Sequence, residues 1–227
     1  MKKAVVLLSG GLDSTTCLAL AQHEQYDIHA LSFDYGQKHA AELIAAKKIA
    51  LAFGVRQHII QPLHSIAFTD SALTDSHQVI PDHQASAQIP NTYVPARNTI
   101  FLSIALGVAE VIQAEAIFIG VSAVDYSGYP DCRPAFIEAF QQLINVATKV
   151  TAASGQTITL RAPLLQLSKA KTIQLGHTLG VDYAITQSCY RLNAKSQACG
   201  HCSSCILRQQ GFRDAGIDDP TVYVSEQ

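Results

Sequence analysis

Charge is scarce in this 227-residue sequence: only 15% of residues are Asp, Glu, Lys or Arg, and the formal net charge is −2. With a pI near 6.5, the chain has no sequence-wide attraction for phosphate backbones, which disfavours a large nucleic-acid partner and favours small anionic ligands. Long apolar runs are missing too. The stretch Ile100 to Val111 is interrupted by Ser103, Gly107 and Glu110, short of the roughly 18 apolar residues of a membrane span. The amino-terminal MKKAVVLLSGG places five apolar residues before Ser9, too few for the apolar region of a signal peptide. A soluble, cytoplasmic protein is expected. Cysteine is sparse except in one place: four of the six lie between Cys189 and Cys205, with Cys17 and Cys132 apart. That clustering suits a metal in a reducing compartment better than a disulfide framework. What is abundant is apolar surface, 48% of residues, enough at this length to fill the core of one large domain or of a domain with a small appendage.

Strand and helix signals alternate. Ala4 to Leu8 is a continuous apolar run suited to a strand buried on both faces, followed by a Gly turn and a helical stretch from Ser14 to about Gln22. Strands are predicted at His29–Phe33, Val55–Ile60, Ala116–Val121 and Thr157–Arg161. Helices are predicted at His39–Phe53, Asn98–Gln113, Ala135–Val150 and Ser168–Gly180, with a short helical segment around Ile206–Asp214. Between them, residues 62–93 lapse into a polar stretch too long for an ordinary connection, read as a lid, an interface segment or partial disorder, with His64, His77 and His83 on a solvated loop. The order predicts an α/β fold, a doubly wound parallel sheet over residues 1–187, with a small metal-bound piece over 188–227. In such sheets ligands sit beyond the carboxyl ends of the strands, where Ser9 to Asp13, Asp34 to His39 and Ser122 to Arg133 converge.

Ser9-Gly10-Gly11-Leu12-Asp13-Ser14-Thr15 follows a strand and opens a helix, the setting in which backbone N–H groups and the helix dipole bind phosphate. Paired glycines let the backbone approach a ligand closely. The spacing is neither GxxxxGK[ST] nor GxGxxG, and no lysine follows to reach a γ phosphate. The segment resembles the SGGxDS loop of the N-type ATP pyrophosphatases. That resemblance implies ATP cleaved between its α and β phosphates, with nucleotide contacts spread over Leu8, Ser9, Gly10, Gly11, Leu12, Asp13, Ser14, Thr15, Thr16, Cys17 and Leu18. Asp13 either holds Mg2+ or orients the loop.

Cys189-x9-Cys199-x2-Cys202-x2-Cys205 supplies four thiolates whose two-residue gaps let neighbouring sulfurs face one centre, as in a closed structural zinc site. An iron–sulfur cluster ranks lower because no cysteine follows at the ferredoxin interval and no proline accompanies the run. A persulfide-bearing cysteine is the reading to consider if the protein moved sulfur. His201 lies among the ligands and reads as a solvated residue.

Taken together, several segments resemble the 7-cyano-7-deazaguanine synthase (QueC) family over nearly the whole chain. They are Ser9 to Thr15; Asp34-Tyr35-Gly36-Gln37-Lys38-His39 with Glu42; Val94-Pro95-Ala96-Arg97-Asn98; Gly120-Val121; Asp125 to Arg133; and Cys189 to Arg208. One departure is Ala135, where the family commonly carries an acidic residue; Glu138 lies one turn further on. The resemblance implies an adenine nucleotide alpha hydrolase-like fold and conversion of 7-carboxy-7-deazaguanine to its nitrile with ammonia and ATP, through an acyl adenylate and an amide, in a homodimer. The site residues it suggests are Asp13, Lys38, Arg97, Asp125, Asp131 and Arg133. Arg97 and Arg133 are candidates to grip the carboxylate or phosphates. Asp125 or Asp131 would receive the guanidine-like edge of the base, and Tyr126 and Tyr129 would stack on it. Lys38 and Lys169 would neutralise pyrophosphate, and His39 would relay protons; no general base is assigned. The competing readings are a tRNA-thiolating enzyme of the same loop class and a non-catalytic nucleotide-binding or zinc module.

Overall fold

The computed structural model describes residues 1–38, 41–63, 70–83, 89–124 and 128–225. Five strands, β1 (Lys3–Leu7), β2 (Asp27–Asp34), β3 (Gln57–Pro62), β4 (Ala116–Phe118) and β5 (Thr159–Arg161), form one sheet in the order β3-β2-β1-β4-β5. Every pairing is parallel. Parallel strands need crossovers, and these are α1 (Leu12–His23), α2 (Ala41–Ala52), α3 (Arg97–Ile112) and α4 (Pro134–Ala147), with α5 (Lys149–Ser154) following α4. Helices α6 (Lys169–Thr178) and α7 (Ser203–Ala215) close the chain.

Central strands covered on both faces must be apolar throughout, and β1 divides its side chains between two cores. Val5 and Leu7 pack with Leu102, Ala105 and Ala109 of α3 and with Phe140 and Ile144 of α4. Ala4, Val6 and Leu8 pack with Leu18 and Ala21 of α1 and with Ala46 and Ile49 of α2. This is the doubly wound architecture, and the strand order reverses between β1 and β4, which places a crevice at their carboxyl ends.

Several boundaries move. The third strand starts at Gln57, because Val55 and Arg56 donate their N–H groups to Ala50 O and Ile28 O and so complete the turn out of α2. The helix expected over 135–150 breaks at Thr148, which is extended (φ −111°, ψ 151°) and accepts a hydrogen bond from Thr151 N to start α5. A threonine oxygen competes well for helix N–H groups in this way. Thr148→Ala should therefore cost about 1 kcal/mol, measurable by urea unfolding, with the sheet intact. The final helix begins at Ser203, a turn earlier than expected, and takes Cys205 into its first turn.

The described part of the 62–93 stretch leaves His77 and His83 exposed, as expected, but packs other residues into the core. Ser71, Ala72, Leu73 and Ile80 are buried, and Ala72 N donates to Asn91 O at 2.8 Å. His77 is exposed; His83 is tied to the cysteine segment through His83 N to His201 O at 2.9 Å and Nδ1 to Ser203 Oγ at 3.2 Å. His64 and His39 lie outside the described residues. No helix among the described residues is long and apolar enough to cross a membrane.

Candidate active site

The turn from β1 into α1 is shaped by what surrounds it. Gly10 has φ +88°, and a Cβ there would lie 2.3 Å from Glu42 O and 2.9 Å from Ala46 N of α2. Both the left-handed backbone and the approach of α2 require glycine. Gly120, just past β4, is required by close approach alone on the other side: a Cβ would lie 2.9 Å from Asp13 C and Ser14 N. Gly10→Ala is expected to remove about 2–4 kcal/mol of stability and to weaken ATP binding at least tenfold, read by denaturation and nucleotide titration.

The loop is held by its own hydroxyls. Ser9 N donates to Ser14 Oγ at 3.2 Å, and Ser14 Oγ donates to Gly11 O at 3.0 Å. Gly11 caps α1 with no side chain, so the first N–H groups of the helix are left for a ligand. Lys169 Nζ, from the start of α6, donates to both oxygens of Asp13 at 2.8 Å. Of the two roles open to Asp13, the geometry displays the orienting one, and Lys169 is engaged with Asp13.

Residues Leu8, Ser9, Gly11, Leu12, Asp13 and Ser14 line a cleft of about 300 Å3, the lower end of ligand pockets. The rest of the expected nucleotide segment supports it from behind. Gly10 shapes the turn, and Thr15, Thr16, Cys17 and Leu18 are fully buried and do not line the cleft. Thr15 Oγ1 donates to Gly11 O at 2.8 Å, and Thr16 Oγ1 shares a 2.8 Å hydrogen bond with Tyr183 OH. Burial, and then the charge of Asp13, push the Cys17 thiol far above its ordinary range, so it stays protonated.

Arg97 faces the loop across the cleft. It opens α3 after Ala96, whose left-handed conformation (φ 53°) turns the chain into the helix. Arg97 Nη1 donates to Tyr35 OH at 3.4 Å, and Tyr129 and Tyr190 also border this wall. Phe101 supports it, stacked on Phe33 at 3.9 Å and edge-on to Tyr35 at 5.4 Å. Glu42 completes it: burial lifts its carboxyl to about 7, although the Arg97 charge works the other way.

The other predicted residues stand elsewhere. Asp131 is buried and turned to α3, where Asp131 Oδ2 accepts Asn98 N at 3.0 Å and its carbonyl accepts Asn98 Nδ2 at 3.0 Å. It clasps the loop to the helix N-terminus, where an anionic oxygen is favoured, and does not line the cleft. Arg133 is exposed at the N-cap of α4, also off the cleft. Lys38 Nζ donates to Gln78 O at 2.5 Å and borders a smaller side chamber instead. Asp125 and Tyr126 lie outside the described residues. Ala135 and Glu138 are both exposed on α4. Of the six candidates, Asp13 and Arg97 are brought to one cleft. Gln187, Ser188, Tyr190 and Arg208 join them; their nearness to the cysteine run was the one sequence signal for them.

The sulfurs of Cys189, Cys199, Cys202 and Cys205 all lie within 4.8 Å of one another. Cys199 Sγ and Cys205 Sγ are 3.9 Å apart, close to the roughly 3.8 Å edge of a tetrahedron with metal–sulfur distances near 2.3 Å. Backbone N–H groups of Arg191 and Cys199 donate to Cys189 Sγ at 3.2 Å, and Cys202 N donates to Cys199 Sγ at 3.3 Å. Such donors stabilise thiolates. An all-sulfur, largely buried set of four fits one metal ion with no open position. The cluster is also wired to the phosphate loop. Arg208 of α7 donates to Asp219 Oδ1 at 3.0 Å, Thr186 Oγ1 at 2.8 Å and Tyr183 O at 3.1 Å, Tyr183 reaches Thr16, and Gln187 N donates to Gly10 O at 2.9 Å.

The chain has full-length relatives among known proteins. Residues 3–216 match the family described as queuosine biosynthesis protein QueC. A 7-cyano-7-deazaguanine synthase of Coxiella burnetii is 58% identical over 226 residues, covering 100% of both chains. One of Legionella pneumophila subsp. pneumophila is 59% identical over 223 residues, 98% of this chain and 97% of that one. Among solved structures, an NMN synthetase from Francisella tularensis matches with a TM-score of 0.50 at 16% identity, covering 96% of this chain and 78% of that chain. A predicted subunit of tRNA methyltransferase from Methanocaldococcus jannaschii matches at TM-score 0.50 and 16% identity, over 78% and 76% of the two chains. At that identity the structural matches speak for the fold alone.

Proposed function

The chain belongs to the queuosine biosynthesis protein QueC family, and we propose that its cleft makes 7-cyano-7-deazaguanine from 7-carboxy-7-deazaguanine, ammonia and ATP. The observation that carries this reading is the pairing, across one cleft, of an uncapped helix N-terminus behind Ser9 to Ser14 with the Arg97 guanidinium and its tyrosines. One wall suits a polyphosphate and the other a flat, carboxyl-bearing ring.

The chemistry follows from the leaving groups. A carboxylate oxygen does not leave, so it is first adenylated: the substrate oxygen attacks the α phosphorus of ATP and pyrophosphate departs. Ammonia displaces AMP from the acyl carbon to give the amide. A second ATP activates the amide oxygen in the same way, and loss of AMP with the remaining N–H protons leaves the nitrile. Each ATP removes one oxygen. The residues contribute positioning and charge: the loop N–H groups hold the departing phosphates, and Arg97 holds the carboxylate toward the α phosphorus. Mg2+ enters with ATP and screens its phosphates; because Asp13 already gives both oxygens to Lys169, we assign Mg2+ to the nucleotide and not to a resident site.

For the four cysteines we propose zinc, in a closed structural site that fixes α7 and, through Arg208 and Tyr183, the back of the phosphate loop. A cytoplasmic homodimer completes the reading. Free thiols suit a reducing compartment. Val111 and Val146, 84% and 79% exposed, lie near where Glu110 accepts Lys149 N at 2.7 Å, and a second copy would cover them. Purified protein given ATP, ammonium and 7-carboxy-7-deazaguanine should yield the nitrile by mass spectrometry; ATP binding with neither amide nor nitrile formed would reject the reading.

A further inference from the structure

A chamber of about 20 Å3 adjoins the main cleft. About 10–15 Å3 of such volume accommodates one water, so the chamber has room for a molecule of the size of water or ammonia and for little more. Lys38, Ile80 and Cys189 border it, and it shares Gln37, Glu42 and Tyr190 with the cleft. Glu42 therefore stands at the junction of the two spaces, in the first turn of α2.

Glu42 is surrounded by charged and phenolic groups. Its half-buried carboxylate makes no hydrogen bond to any described residue. The groups around it are the Arg97 guanidinium, the phenols of Tyr35 and Tyr190 and, across the chamber, Lys38, whose Nζ is held by Gln78 O. Cys189 turns its sulfur to the backbone N–H groups of Arg191 and Cys199. Lys38 borders the chamber and the Arg97 charge lies beyond Glu42 on the cleft side; both oppose a further cation, so an entering ammonium is pushed toward its uncharged form. That form is the nucleophile.

We propose that this side chamber is the ammonia subsite and that Glu42 is the base that takes the proton from ammonium as it attacks. The inference rests on the proposed function, which makes ammonia the nitrogen source. In the step, NH4+ gives one proton to the Glu42 carboxylate, the nitrogen lone pair forms the C–N bond at the acyl carbon of the adenylate, and the C–O bond breaks with AMP leaving. The positive nitrogen then loses a second proton to solvent to give the neutral amide. Raised by burial to about 7, the Glu42 carboxyl exchanges protons in the neutral range, as a general base must.

The test is Glu42→Gln, assayed against ammonium at neutral and alkaline pH and against hydroxylamine, which is uncharged at neutral pH. The kcat/KM for ammonium should fall about 100-fold or more at neutral pH, with KM for ATP and for the carboxylate substrate within about twofold of wild type. The defect should shrink at alkaline pH, where free ammonia is abundant, and hydroxylamine should give the hydroxamate at near the wild-type rate. That rescue also shows that the variant is folded. An unchanged ammonium dependence, a loss confined to KM for the deazapurine, or a variant that binds ATP but is not rescued by hydroxylamine would each overturn the assignment. Wild-type enzyme making no nitrile from ammonium would sink the function and this inference together, whereas wild-type turnover with an unaltered variant sinks the inference alone.

Discussion

Cys202→Ser is expected to strip the protein of its metal and to lower its stability by more than about 4 kcal/mol, a scale reached by few single substitutions. For a chain of this size that corresponds to roughly 10–15 °C in Tm. The reason is geometric. Four sulfurs drawn within 4.8 Å in a core shared with Val5, Leu7 and Ile117 would be held together by the proposed ion, whose binding energy would be folding energy for whatever it closes. Activity should fall with the metal, because Cys205 sits in α7 three residues before Arg208, and Arg208 braces Thr186 and Tyr183 behind the phosphate loop. Elemental analysis should give one zinc per wild-type chain and none in the variant. Retention of full activity without metal would show that the wiring is incidental, and visible iron–sulfur absorption would replace zinc.

Arg97→Ala is expected to cost on the order of 1,000-fold in kcat/KM for the deazapurine, the loss typical of removing a donor from a site of developing charge. ATP affinity should stay within a few fold, since the phosphate loop lies on the opposite wall. Arg97→Lys should recover little, because a point charge cannot reproduce a planar fork held against Tyr35. Steady-state kinetics with each substrate varied in turn separates the two effects. An equal loss for ATP and deazapurine would move Arg97 to the phosphates.

Some of this was written in the sequence because it is local. The glycine pair between an apolar strand and a helix, and four cysteines at metal spacing, carry their chemistry in consecutive residues. The fold was legible for the same reason, since Ala4 to Leu7 is apolar at every position and buried on both faces. Orientation was not legible. Asp131 lies within the short 3-10 turn Pro130–Cys132 and Arg133 follows it, where a rotation of one residue decides between cleft, core and solvent; Asp131 turns to cap α3 and Arg133 faces water. Contacts between distant segments were equally hidden. Lys169 meets Asp13 and Tyr183 meets Thr16 only because α6 and the segment after it fold back on α1, and Glu42 feels the Arg97 charge only because the first turns of α2 and α3 open on the same cleft. Thr148 looked like one more helical residue until its hydroxyl took Thr151 N.

The proposed cleavage of ATP between its α and β phosphates, which activates a substrate oxygen, is read from the nucleotide product. Turnover followed by phosphorus NMR or by nucleotide chromatography should give AMP and pyrophosphate, two of each per nitrile formed, one for each oxygen removed. ADP and inorganic phosphate would rule out cleavage between the α and β phosphates.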